Sequence, residues 1–258
     1  MLLAIDVGNT NVVLGLFEGE KLIRTWRLGT HADHTSDECS AIIRSLFDVA
    51  ETDPRSVRNA ILSCVVPPLT PIFERTCTKT FGCEPLVVGP GTKSGMPIRV
   101  DNPPEVGADR IVNSVAAHAL MGAPVISIDF GTAITFDCVS RSGEFVGGAI
   151  LPGLLVSLES LVERASRLSS VEIVRPPHVI GRNTVHMLQS GMLFGYAGMI
   201  DNMVERIRGE LGEEARVLAT GGLAHLVAGE SRTIERVEPF LTLEGLRLIF
   251  ERNRKEET

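Results

Sequence analysis

Two short segments carry the residue types best suited to chemistry. In "AIDVGNTN", residues 4–11, an apolar run ends in Asp6 and is followed by Gly8 and the short polar residues Asn9, Thr10 and Asn11. In "IDFGTAIT", residues 128–135, Asp129, Gly131 and Thr132 repeat the arrangement, with the Asp and the Gly each displaced by 123 positions. An aspartate delivered at a strand end can hold Mg²⁺ or its waters, and the glycine lets backbone N–H groups come close enough to cradle phosphate oxygens. A single copy reads equally well as an Asx-turn in a hairpin. Two copies in matching context point to one duplicated architecture that contains a phosphate loop.

A third segment, "VGADRIVNS" at 106–114, supplies what a transfer reaction still needs. Phosphoryl transfer asks for held phosphates, in-line positioning and a group that accepts the alcohol proton. Gly107 and Ala108 leave the approach uncrowded just before a helical pattern, so the Asp109 carboxylate can face a substrate hydroxyl as general base. Arg110 adds a forked donor suited to carboxylate or phosphate. The competing reading makes Asp109 a helix cap and Arg110 half of a surface ion pair. Farther on, "ATGGLA" at 219–224 offers Gly221 and Gly222 for close backbone approach to a nucleoside.

These residues need elements to position them. Strand signals fall near 2–7, 11–17 and 21–28, with "FEGEK" as the turn between the last two. A helix capped by Ser36 is expected over 36–50, then strand "NAILSCVV" at 59–66, a helix near 69–81 and strand "PLVVG" at 85–89. After a helix near 107–121, strands recur around 124–129, 133–139 and 143–150, followed by helices and strand "ARVLAT" at 215–220. The order strand-strand-strand-helix-strand-helix-strand thus occurs twice. It predicts an α/β protein of two halves, 1–121 and 122–258, each a mixed sheet with helices, and a ligand cleft between them outside the carboxyl ends of the strands. The charged end "ERNRKEET", 251–258, reads as a solvated helix terminus.

Composition sets the remaining bounds. The 258 residues are 44% hydrophobic and 22% charged, enough for a sizeable core, and the net charge of -7 leaves no general basic footprint for nucleic acid or acidic lipid. A small-molecule partner is expected, with no nucleic acid and no membrane. Cys39, Cys64, Cys77, Cys83 and Cys138 show no C-x-x-C pair and read as buried thiols of a cytoplasmic protein. "GPGTKS" at 89–94 has Thr92 where a Walker loop requires Gly before Lys93. His31, Asp33, His34 and Asp37 match no helical zinc spacing and read as a loop.

Taken together, "DVGNTN", "DNPPEVGADR", "IDFGTAITFD", "GGAILPGL" and "TGGLA" resemble the type III pantothenate kinases, bacterial members of the superfamily of acetate and sugar kinases, actin and the heat-shock chaperone ATPases. The resemblance runs from residue 2 to about 250, and "GADR" with its upstream "DNP" is its most specific part. It implies duplicated ribonuclease-H-like or actin-like halves, each with a mixed five-stranded sheet, and ATP-dependent phosphorylation of pantothenate to 4'-phosphopantothenate. By the same resemblance Asp6, Val7, Gly8, Asn9, Thr10, Asn11, Val12 and Val13 form the ATP phosphate loop, and Asp6 holds Mg²⁺ directly or through water. Thr132 touches ATP and Asp129 holds a monovalent cation, K⁺ or NH₄⁺. Gly107, Ala108, Asp109, Arg110 and Thr184 contact pantothenate, with Asp109 as general base. Val100 occupies a pantothenate-contacting position where the family usually has an aromatic residue. A homodimer is implied, for which the long apolar-rich stretch 183–207 could serve, although its Met187, Met192, Met199 and Met203 more often mean core. Two alternatives share these residues: a nucleotide-binding regulator of the same fold without kinase activity, and a kinase of another small alcohol.

Overall fold

The computed structural model describes residues 1–254. The first strands are β1 (Leu2–Val7), β2 (Asn11–Glu18) and β3 (Lys21–Gly29), followed by α1 (Ser36–Val49), β4 (Asn59–Cys64), α2 (Thr70–Phe81) and β5 (Pro85–Val87). Next come α3 (Ala108–Met121), then β6 (Val125–Phe130), β7 (Ala133–Val139) and β8 (Phe145–Pro152). The chain continues through α4 (Leu154–Arg164), α5 (Thr184–Leu211), β9 (Arg216–Gly221), α6 (Ala224–Ala228), β10 (Arg236–Val237) and α7 (Leu241–Arg254). The rest of the charged end, 255–258, lies outside the described residues.

The strands form two five-stranded sheets with the same plan, β3-β2-β1-β4-β5 and β8-β7-β6-β9-β10. In each, the first strand is antiparallel to the second and parallel to the fourth, so the duplication seen in two loops extends to whole sheets. The fold is the expected pair of mixed sheets. Its second copy departs from the expected order, because two helices, α4 and α5, separate β8 from β9, and β10 is only two residues long.

Strand alternation decides which face of the first sheet buries what. Leu3, Ile5, Val7, Ala60 and Leu62 join Ile43 and Phe47 of α1 and Phe73 of α2 in one core. Trp26 closes that side, its ring stacked on Phe47 at 5.0 Å. Helix α1 is capped by Thr35 and not by Ser36: the Thr35 side chain accepts from the Glu38 N–H, and the Glu38 carboxylate accepts from the Thr35 N–H at 2.8 Å. Glu38 completes a reciprocal box only with Thr35, three residues before it. The opposite face of the sheet belongs to α7 and α3. Gly15, paired with Ala4, is filled by Leu243: a Cβ added there would lie 2.7 Å from the Leu243 side chain. Thr242 donates to Asn113 of α3 at 2.8 Å, and Gly245 rests against the Val112 carbonyl.

Two compact units result. The first comprises 1–96, 102–116 and, among the described residues, 242–254; the second comprises 97–101 and 117–241. This division differs from a single cut after residue 121, since the C-terminal helix supplies the apolar cover that one face of the first sheet lacks. The second core is built on β6, β7 and β9 with Leu154 and Leu158 of α4 and Leu193, Tyr196 and Ile200 of α5. Of the methionines on α5, Met192 is buried and Met203 packs on that core, whereas Met187 and Met199 are exposed. Cys39, Cys77 and Cys138 are buried, but Cys64 and Cys83 are only half-buried, at element ends.

Candidate active site

The first loop is built by backbone closure. Gly8 N–H donates to the Asn11 carbonyl at 3.0 Å, and a Cβ at Gly8 would stand 3.1 Å from that same oxygen. Thr30, the residue after β3, ties the turn from outside: its hydroxyl donates to the Gly8 carbonyl at 2.7 Å and its N–H to the Thr10 carbonyl at 3.0 Å. Asn9 and Thr10 are exposed at the tip. Val7 and Val12 are buried in the α1/α2 core, so only their backbones are available to a ligand, while half-buried Val13 faces the same side as its pair partner Asp6.

Asp6, one residue before the end of β1, lies on the face that α3 and α7 cover. Its parallel neighbour in register is Ser63 of β4, fully buried, with a hydroxyl that has no hydrogen-bond partner among the described residues. The start of α3 reaches the same sheet edge, because a Cβ at Gly107 would lie 3.8 Å from Val65, two residues beyond Ser63. That Cβ would also press on Asp109 Oδ1 at 2.6 Å, so glycine makes room for the carboxylate. Asp109 sits in the first turn of α3 and is half-buried. Burial pushes its carboxyl above the ordinary aspartate value, against the Arg110 N–H, which donates to Oδ1 at 2.8 Å, and the Arg110 charge. A carboxylate that holds a proton more readily than usual is a competent proton acceptor near neutral pH.

The second loop repeats the first with different anchors. Gly131 N–H donates to the Ala133 carbonyl at 3.1 Å, and Gly153, directly after β8 as Thr30 is after β3, donates its N–H to the Thr132 carbonyl at 2.9 Å. The Gly153 α-carbon comes so close to the Gly131 and Thr132 carbonyls that a side chain there would collide with both. Asp129 is the penultimate residue of β6, with Thr220 of β9 beside it in register. Gly221 packs against that carboxylate: an added Cβ would fall 2.7 Å from Asp129 Oδ1 and 2.6 Å from the Phe130 carbonyl.

Of the expected site residues, Asp6 to Val13 and Gly107 to Arg110 are brought together in the first unit. Val100, Asp129, Thr132 and Thr184 fall in the second. Val100 is half-buried, 3.8 Å from where Gly147 would carry a Cβ, and Thr184 is exposed as the first residue of α5. Sequence reasoning does not single out Thr30, Ser63, Gly153 or Thr220. For Ser63 a signal exists, since it is the lone hydroxyl in "NAILSCVV". In "GPGTKS" the Thr92 hydroxyl donates to the Val87 carbonyl at 3.0 Å and accepts from the Gly89 N–H, closing the loop on itself.

Comparison with known proteins gives a consistent result. The family model described as type III pantothenate kinase matches residues 2–206. A protein of Geobacter sulfurreducens named type III pantothenate kinase is 54% identical over 255 residues, covering 99% of this chain and all of that one. Among solved structures, one described as a Baf family transcriptional activator from Campylobacter jejuni superposes with a TM-score of 0.61 at 18% identity, covering 98% of this chain and 99% of that one. The ROK hexokinase from Thermus thermophilus gives 0.52 at 12% identity, covering 99% of both chains. At those identities the two structures speak for the fold alone.

Proposed function

This chain belongs to the type III pantothenate kinase family, and from that premise we propose how its residues divide the work of phosphorylating pantothenate with ATP, the first step of coenzyme A synthesis. The observation that carries the division is the convergence of Asp6, its closed loop and Asp109 on one edge of the first sheet. The loop from Asp6 to Val13 offers backbone N–H groups to the ATP phosphates, and Thr132 of the second loop contacts ATP as well. Asp6 would hold the divalent cation, directly or through water; its oxygen donors suit Mg²⁺. When bound, that cation neutralises charge on the phosphates.

Asp109 takes the proton from the terminal hydroxyl of pantothenate as that oxygen bonds to the γ-phosphorus and the bond to the departing ADP oxygen breaks. Gly107, Ala108 and Arg110 line the acceptor, joined by Thr184 and Val100. Val100 in place of an aromatic makes its wall of the pocket smaller. Asp129 is assigned a monovalent cation, K⁺ or NH₄⁺, a role supported by the oxygen-rich turn that Gly153 and Gly221 compress around it.

A homodimer is part of the same reading. Ile150, Leu155, Val156, Ile180, Val185 and Met187 are exposed apolar side chains between residues 150 and 187 of the second unit, a stretch that supports a subunit contact there. Among the described residues no helix is long and apolar enough to cross a membrane, and the five cysteines are free, which supports a reducing cytoplasm. The test is ADP release across a panel of small alcohols with pantothenate included, repeated after exchange into bulky organic cations. Pantothenate alone should support turnover, which should collapse without K⁺ or NH₄⁺. ADP release that ignores pantothenate would refute the assignment, and full turnover in organic cations would remove the monovalent site.

A further inference from the structure

We propose that Tyr196, the one tyrosine in the chain, is a positioning residue of the second loop: its buried hydroxyl fixes the peptide group that holds Thr132. The inference rests on the reading that Thr132 contacts ATP. Tyr196 lies on α5 among Met192, Leu193, Ala197 and Ile200, an apolar setting in which a phenylalanine ring would fill the same space. A phenol oxygen taken from water into such surroundings costs stability unless it is hydrogen-bonded, and both of its partners lie where β8 turns into α4. The hydroxyl is 3.2 Å from the Pro152 carbonyl and 2.5 Å from Ser157 Oγ. A carbonyl can only accept, so the single phenol proton goes to Pro152 and the Ser157 hydroxyl donates to Tyr196.

The Pro152 carbonyl and the Gly153 N–H belong to one planar peptide group and point in opposite directions. Tyr196 grips that plane by its oxygen, while the Gly153 N–H donates to the Thr132 carbonyl at 2.9 Å. Turning the plane breaks both bonds, so the orientation set at Tyr196 is passed to Thr132 through two hydrogen bonds that polarise one another. Gly153 itself caps α4 without a side-chain hydrogen bond. In the first loop the corresponding residue, Thr30, carries its own hydroxyl and bonds the Gly8 carbonyl directly. In the second, the closeness of the Gly131 and Thr132 carbonyls demands glycine, so a hydroxyl has to come from elsewhere. Tyr196 supplies it from α5, 44 residues from Pro152 along the chain.

The experiment measures steady-state kinetics of the full chain, with ATP and pantothenate varied in turn, together with thermal midpoints. Tyr196→Phe keeps the ring and removes the hydroxyl. Its KM for ATP should rise about 5-fold, the order expected from one lost hydrogen bond, while KM for pantothenate stays at the wild-type value and the midpoint moves by no more than about 4 °C. Ser157→Ala leaves the bond to Pro152 in place and should change KM for ATP by less than about 2-fold. Gly153→Ala is the reference and should impair the use of ATP more than either. A wild-type KM for ATP in Tyr196→Phe beside an impaired Gly153→Ala would overturn the proposal and leave the role of the second loop intact. The proposal fails equally if both KM values rise together, if Tyr196→Phe does not fold, or if Ser157→Ala matches it, because the packing of α4 on α5 would then be the cause. If Gly153→Ala is unshifted too, the reading of Thr132 itself falls, and the proposal with it.

Discussion

At the scale of single residues, Asp109 is where fold and chemistry pull in opposite directions. Burial raises its pKa, so the folded chain binds this proton more tightly than the unfolded chain does. Stability is therefore lost as pH rises from the ordinary aspartate range through the raised value, and at neutral pH the charged carboxylate is a net cost to the fold. Asp109→Asn should raise the thermal midpoint at neutral pH, with the gain shrinking as the pH falls below the ordinary aspartate value. In the same variant kcat should drop by roughly 10² to 10⁴ with a much smaller change in pantothenate affinity, and the acid limb of the wild-type pH–rate profile should disappear. Calorimetry, melting curves across pH and single-turnover kinetics measure all three. A mutant that melts lower at neutral pH, or that loses binding and turnover in equal proportion, would make Asp109 a substrate anchor.

At the scale of elements, the two loops are the same device held by different hands. Thr30 fastens the first through a hydroxyl, whereas Gly153 fastens the second through its backbone and its lack of a side chain. Gly153 has φ -65° and ψ 156°, values open to any residue, so space and not backbone conformation demands glycine. Gly153→Ala must push the Gly131–Thr132 turn aside, and kcat/KM for ATP should fall by about 100-fold, as misplacement by an ångström can cost. A wild-type value in steady-state assays would show that the second loop tolerates displacement. The same contrast explains what is legible in the sequence. Asp6, Gly8, Asp129 and Gly131 are visible because their signal is local, an apolar strand that ends in a carboxylate and a turn. The anchors Thr30 and Gly153 are 20 or more residues from the turns they hold, and Ser63 is paired with Asp6 only through strand register, so no short window contains either relation. The cap of α1 lies one position from the expected residue because Thr35 and Ser36 are both competent, and only the reach of Glu38 separates them.

For the whole molecule, the exposed apolar stretch and the return of the last helix matter most. Ile180 is 83% exposed and Leu155 52%, and a second copy covering them would remove both from water. The double variant Leu155→Asp with Ile180→Asp should run at half the wild-type mass by light scattering while keeping its helical signal; an unchanged mass would place any interface elsewhere. The return of 242–254 to the first unit, in place of a single cut after residue 121, could not be read from the sequence, because the complementarity of Gly15 to Leu243 links positions 228 apart. That complementarity also bears on how the protein is made. The second unit is assembled almost entirely from the continuous stretch 117–241, and all of it has been synthesised before the residues of α7 emerge. The first sheet, though translated earliest, keeps the part of its face around Gly15 and Phe17 uncovered until the last helix arrives. Domains ordinarily fold in the order in which they are synthesised. Here the ribosome begins with the sheet that is finished last, and a released chain ending at residue 241 would carry all of the second unit and a first sheet without its last helix.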